Sequence, residues 1–241
     1  KNQTVKVSYL FLIISIYNIS HAHNPAKENL NWKNYFRIGA VHSQFSAIGF
    51  TAYGRLKRTT NQTFRDIRFF GHFYKNDTEI RLRHKYSRRL LSLDRLYSFN
   101  TLIYQKNTML NINLRYHLNQ GIGWLLNSNE AGNMTIETGI AFDNSDYLND
   151  QQKTTFLRTG FSIDKKIRLL SGKFEVDYFH QLNQKTLDRT ESRIQILGEF
   201  SWKVNEVIEI LSGVTSDIYE DKSNPSFFLT MAFTKPLDWD F

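Results

Sequence analysis

The chain has 241 residues, 41% of them apolar and 15% aromatic, with 3 prolines and no cysteine. Its mean hydropathy of −0.45 is too polar for a bundle of membrane helices, and the lack of cysteine excludes a disulfide framework, a thiolate metal site and a cysteine nucleophile. The formal net charge of +8 fits nucleic acid, anionic lipid or acidic solutes as partners, so the placement of the charges has to decide between them.

Residues 1–22 read KNQTVKVSYLFLIISIYNISHA. Lys1 and Lys6 give a basic start, Val7 to Ile19 an apolar run, and Ser20-His21-Ala22 small residues where a signal peptidase reads. The expectation is a signal peptide over 1–22, a short segment over 23–34 and export out of the cytoplasm. Export makes nucleic acid an unexpected partner despite the charge. No later segment approaches the roughly 18 consecutive apolar residues of a spanning helix, so a membrane-embedded form has to be a barrel.

From about residue 35 the chain alternates with a period of two. Ile80, Leu82, His84 and Tyr86 alternate with Arg81, Arg83, Lys85 and Ser87, and Leu110, Ile112, Leu114, Tyr116 and Leu118 alternate with Asn111, Asn113, Arg115 and His117. A strand separates such sets onto two faces, whereas a helix scatters them. Reading the alternating runs and the polar breaks gives about twelve strands, over 35–42, 47–58, 63–75, 78–87, 95–105, 109–125, 132–143, 153–164, 169–182, 191–203, 205–217 and 226–241. The longest break falls at Asp143 to Lys153.

A soluble sandwich or barrel turns its apolar face inward; an outer-membrane barrel turns it to lipid and lines its interior with polar groups. Long strands, aromatics near strand ends, full charges on the polar face and an even strand count favour the membrane barrel: all-β, antiparallel and up-and-down. A secreted or periplasmic β-rich binding protein is the rival from another class.

The segments RLYSFNTLIYQKN (95–107) and LRYHLNQGIGWLLNSNEAGNMTIETGIAF (114–142) combine an aromatic strand, Gly121-x-Gly123-aromatic, a polar turn and Glu137-x-Gly139. This pattern resembles the domain of unknown function 481 family. The resemblance implies an outer-membrane β-barrel of a Gram-negative bacterium, akin to salt-induced, envelope-stress-related proteins, and no settled activity.

No nucleophile–base–orienter set stands out among the serines and histidines. Asp143 and Asp146 read as ordinary loop acids, and His21 and His23 straddle the expected cleavage point. No enzymatic activity, cofactor or metal site is therefore expected. The chemistry lies on the inward face. Arg55, Lys57, Arg68, Arg81, Arg83, Lys85, Arg115 and His117 form a basic wall; Glu137, Glu175, Asp177 and Glu199 follow, with Arg158, Lys173 and Arg193 among them. Two readings stay open: an ion-pair network that closes the lumen, or a narrow porin-like passage for small anionic solutes. The closing stretch FFLTMAFTKPLDWDF places its odd positions toward outer-membrane lipid. Leu237, Trp239 and Phe241 are expected to serve the barrel-assembly machinery as a C-terminal signal, with Pro236 interrupting the pairing.

Overall fold

A strand with one apolar and one charged face can cross a membrane only where its backbone groups are paired on both sides, and closure of the sheet achieves this. The computed structural model describes residues 32–43, 46–90, 93, 95–129, 131–147, 150–182, 192–220 and 223–233. Twelve strands form one closed antiparallel barrel: β1 Lys33–Ser43, β2 Ser46–Thr59, β3 Thr63–Phe73, β4 Thr78–Arg89, β5 Leu96–Asn107, β6 Ile112–Asn129, β7 Gly132–Tyr147, β8 Asp150–Ile167, β9 Leu170–Gln181, β10 Arg193–Lys203, β11 Ile208–Tyr219 and β12 Ser223–Phe233. Each pairs with its sequence neighbours, and β1 closes on β12 from Phe36↔Phe233 to Ser43↔Ser226. The strands run from 11 to 18 residues, long enough to cross a bilayer, which takes about 9–11 tilted residues. Among the described residues no helix is long and apolar enough to cross a membrane.

The faces decide the environment. Phe50, Leu82, Leu102, Trp124, Phe174, Phe200 and Leu229 stand exposed on the outside, while Asp66, Arg115, His117, Glu137, Asp143, Arg158 and Arg193 are buried inside. Apolar outside and charged inside is the inverse of a soluble barrel, so the molecule is a transmembrane β-barrel. In β12, Phe227, Leu229 and Met231 point outward while Phe228, Thr230 and Ala232 are buried, as the alternation predicts. Residues 1–31, which hold the expected signal peptide, and 234–241, which hold Pro236, Leu237, Trp239 and Phe241, lie outside the described residues.

Two expectations fail locally. Leu110 and Ile112 do not share the outer face with Leu114, Tyr116 and Leu118. Leu110 belongs to a 3-10 turn (Thr108–Leu110), whose first residue follows the capping side chain of Asn107 and whose exit places Asn111 in the left-handed region at φ 55°. A bulge between Ile112 and Leu114 then shifts the register by one residue. Such a shift exchanges faces, so both apolar side chains turn inward and pack with Tyr219. The second failure is the long break at Asp143 to Lys153. The pairing continues from Asp143↔Thr154 to Tyr147↔Asp150, so residues 143–147 and 150–153 are strand. Asp, Asn and Ser read as loop in isolation, but across a closed ladder their backbone groups are paired and Asp143 faces the lumen.

Candidate functional site

The lumen narrows from one rim to the other. The rim where β1 begins and β12 ends opens into a cavity of about 730 Å³, with Tyr35, Arg55, Lys57, Ser87, Thr135 and Asp164 among its walls. A second chamber of about 140 Å³ lies beyond it, against Glu79, Thr101, Asn107, His117, Asn119 and Asp217. Both cavities share Arg37, Arg68, Arg83, Arg158, Lys173, Glu175, Asp177 and Glu199 as walls, and these residues form the waist between them.

The waist is a mesh of ion pairs. Asp66 accepts from Arg55 Nε and Arg68 Nε, each at 2.5 Å. Arg68 also reaches Glu175 at 3.8 Å, and β3 and β9 stand half-way round the ring from each other, so this contact crosses the barrel. Lys173 continues the chain to Glu175 at 3.0 Å and Glu199 at 3.9 Å. Arg37 pairs with Glu199 at 2.5 Å and stacks on Tyr53 at 4.2 Å. Arg158 bridges Glu137 at 3.0 Å and Asp177 at 2.6 Å. Glu137 also binds Lys85 and accepts from the Tyr97 hydroxyl at 2.8 Å. Side chains this deep cannot be solvated singly, so each carboxylate is held by cations and donors.

The far end is tighter. Asp143 holds His117, lies 3.0 Å from Arg193 and is 3.8 Å from Arg115; all four are nearly fully buried. Arg193 sits over Phe179 at 4.3 Å and Phe156 at 4.9 Å. Nearby, His72 packs on Phe70 with centroids 4.1 Å apart and faces Glu79 at 3.4 Å. Arg81 lies 3.5 Å from both Glu79 and Asp217. Apolar clusters pack at this narrow end, Leu110, Ile112 and Tyr219 and Ala141, Phe156 and Phe179, while Val41, Leu211 and Phe228 form a third, with Leu211 on the wall of the wide cavity.

All fifteen residues named above for the inward face line the cavities or enter this ion-pair mesh. Sequence reasoning missed Arg37, Asp66, His72, Glu79, Asp143 and Asp217. Strand parity signals each of them: Asp66 lies two residues from Arg68, and Asp217 shares a face with Thr215 and Tyr219. In the sequence alone Asp143 reads as an ordinary loop acid. His117, its ladder partner, is distant in sequence, and only the pairing brings the two together. Among the described residues, no group of three or more His, Asp or Glu is placed to hold a metal ion.

Some basic groups of the cavity wall are left over. Arg55, Arg68 and Arg83 stand in direct register on β2, β3 and β4. Asp66 and Glu175 match the first two. Among the described residues, Arg83 and Lys57 have no carboxylate within the 4.0 Å of an ion pair. Like charges directly opposite one another destabilise a sheet, and with three arginines against Asp66 and Glu175 the row keeps a net positive potential facing the cavity.

The family described as "Protein of unknown function, DUF481" matches residues 47–237. The chain belongs to the DUF481 family. Its fold is shared with a solved NanC porin, 9% identical with a TM-score of 0.57, covering 83% of this chain and 100% of that one. It is shared too with the COG4313 outer membrane channel from Pseudomonas putida F1, 8% identical with a TM-score of 0.51, over 89% and 98% of the two chains. At such identities the likeness is one of fold: an outer-membrane type of barrel. No curated protein matches the chain in sequence. The glycines of the DUF481-like segment have a packing reason. Gly121 and Gly139 are ladder partners, and a Cβ on Gly121 would fall 2.0 Å from the Thr138 carbonyl oxygen. A Cβ on Gly123 would fall 2.3 Å from the Tyr97 ring, the ring that carries the hydroxyl bound to Glu137.

Proposed function

We propose that this DUF481 barrel is a non-enzymatic, porin-like protein of the Gram-negative outer membrane, with a narrow lumen that prefers small anions. The rim where β1 begins and β12 ends faces the periplasm in this reading, and the wide vestibule opens there. The observation that carries it is the Arg55–Arg68–Arg83 row, in which Arg83 has no carboxylate at ion-pair distance among the described residues. Its field draws anions into the vestibule, and a low-dielectric wall strengthens it. The mesh from Arg68 to Glu175 restricts the passage, so conductance is small compared with wide porins, which have about sixteen strands.

The test is conductance of the purified barrel in planar bilayers under a potassium chloride gradient. The expected reversal potential is that of a chloride-preferring pore, moving toward cation preference in Arg83→Glu. A silent bilayer, or a selectivity unmoved by that change, overturns the passage. A closed structural barrel is the second reading, and the trans-barrel Arg68–Glu175 contact favours it; silence in the bilayer is its expected result.

A further inference from the structure

We propose that the outer face of β2 and β3, at the rim where β1 begins and β12 ends, holds the headgroup of an anionic glycerophospholipid. The site is built on Arg58 and Arg65, which are direct ladder partners. Both have outward parity, in step with Leu56 and Phe69 on the exposed face, and neither lines the lumen cavity. Two arginines opposite each other on adjacent strands repel, and no carboxylate among the described residues pairs with either. Among the described residues neither has a carboxylate at ion-pair distance or donates a side-chain hydrogen bond. The Nε of Arg58 is buried and has no hydrogen-bond partner, which is a costly state for a charged donor.

The surroundings select a lipid. Arg58 lies 5.9 Å over Trp32 and Arg65 lies 5.5 Å over Tyr86, so each guanidinium is held over the kind of aromatic ring that marks a membrane–water interface. Toward the middle of the barrel, the next outward rows are Leu56 with Ile67, then Gly54 with Phe69 and Phe36. A Cβ at Gly54 would meet nothing within 4 Å, so the exposed Phe36 and Phe69 flank a shallow groove. A phosphate between Arg58 and Arg65 would thus have its acyl chain directed along that groove. Guanidinium forks match phosphate oxygens, and a net negative headgroup is favoured over a zwitterionic one because no carboxylate among the described residues pairs with either arginine to receive an ammonium.

This inference rests on the membrane reading proposed above. The barrel is refolded in micelles doped with equal phosphatidylglycerol and phosphatidylcholine, checked for folding by its gel shift on boiling, and examined by native mass spectrometry. The wild type should retain phosphatidylglycerol over phosphatidylcholine. Arg65→Gln should weaken that preference about fivefold, and Arg58→Gln/Arg65→Gln about thirtyfold, as each arginine near an anionic surface contributes roughly that factor. Equal retention of the two lipids by wild type, or an undiminished preference in a folded single variant, overturns the site. A chain without a heat-dependent gel shift in either micelles or vesicles overturns the membrane reading as well.

Discussion

Replacing Glu137 by Gln tests whether the ion-pair mesh is a structural necessity of the lumen. The side chains of Glu137, Lys85 and Arg158 are only 7%, 13% and 7% exposed. Arg158 keeps Asp177 at 2.6 Å after the change, but Glu137 is the one carboxylate paired with Lys85 among the described residues. An ammonium is then left in the interior without an anion. Breaking a buried pair in this way costs about 3–5 kcal/mol; because Gln can still accept from Tyr97, the lower end, about 3 kcal/mol, is expected. Adding Lys85→Met removes the orphaned charge, and the double variant should recover at least half of the loss. Asp177→Asn is the control. Its side chain is 27% exposed and Arg158 retains Glu137, so about 1 kcal/mol or less is expected there. The assay is reversible urea unfolding in lipid vesicles, followed by tryptophan fluorescence. If Glu137→Gln falls within about 1 kcal/mol of wild type, or the double variant is no better than the single, the mesh does not hold the lumen together in the way described.

Gly121→Ala should lower the yield of folded, heat-modifiable barrel, because its Cβ would meet the Thr138 carbonyl at 2.0 Å and force β6 and β7 apart; strain of this kind costs about 1–3 kcal/mol. Leu229→Arg puts a charge on the outer face of β12, where Leu229 is exposed, and should destabilise the barrel in vesicles by about 2–4 kcal/mol if that position lies at mid-bilayer. Ile112→Ala/Tyr219→Ala thins the apolar cluster at the narrow end; single-channel conductance in planar bilayers should rise, and an unchanged value would show that the resistance lies at the waist instead.

The architecture was legible in the sequence because a period of two, sustained over long runs, needs no tertiary information. Each strand carries its own record of which residues share a face, as Leu82 against Arg81 and Arg83 shows. The final strand could be read to Phe233 for the same reason. Where the reading went wrong, the ladder was the cause. A single bulge in β6 reversed Leu110 and Ile112, and strand pairing absorbed Asp143, which in isolation looks like a turn residue.

What no stretch of sequence could supply is which charges meet. Arg68 and Glu175 are far apart in the chain and touch only because β3 and β9 face each other across the closed ring. The same holds for Lys85 with Glu137 and for Arg193 with Asp143. Arg83 inside and the Arg58–Arg65 pair outside lack an ion-pair partner among the described residues, and only the placed strands show this. Sequence alone determined the two faces and the twelve strands, since those follow from local alternation. Register and closure decided the ion-pair mesh, the taper of the lumen and the uncompensated arginines, because electrostatic matching depends on distances between strands that the chain order does not encode.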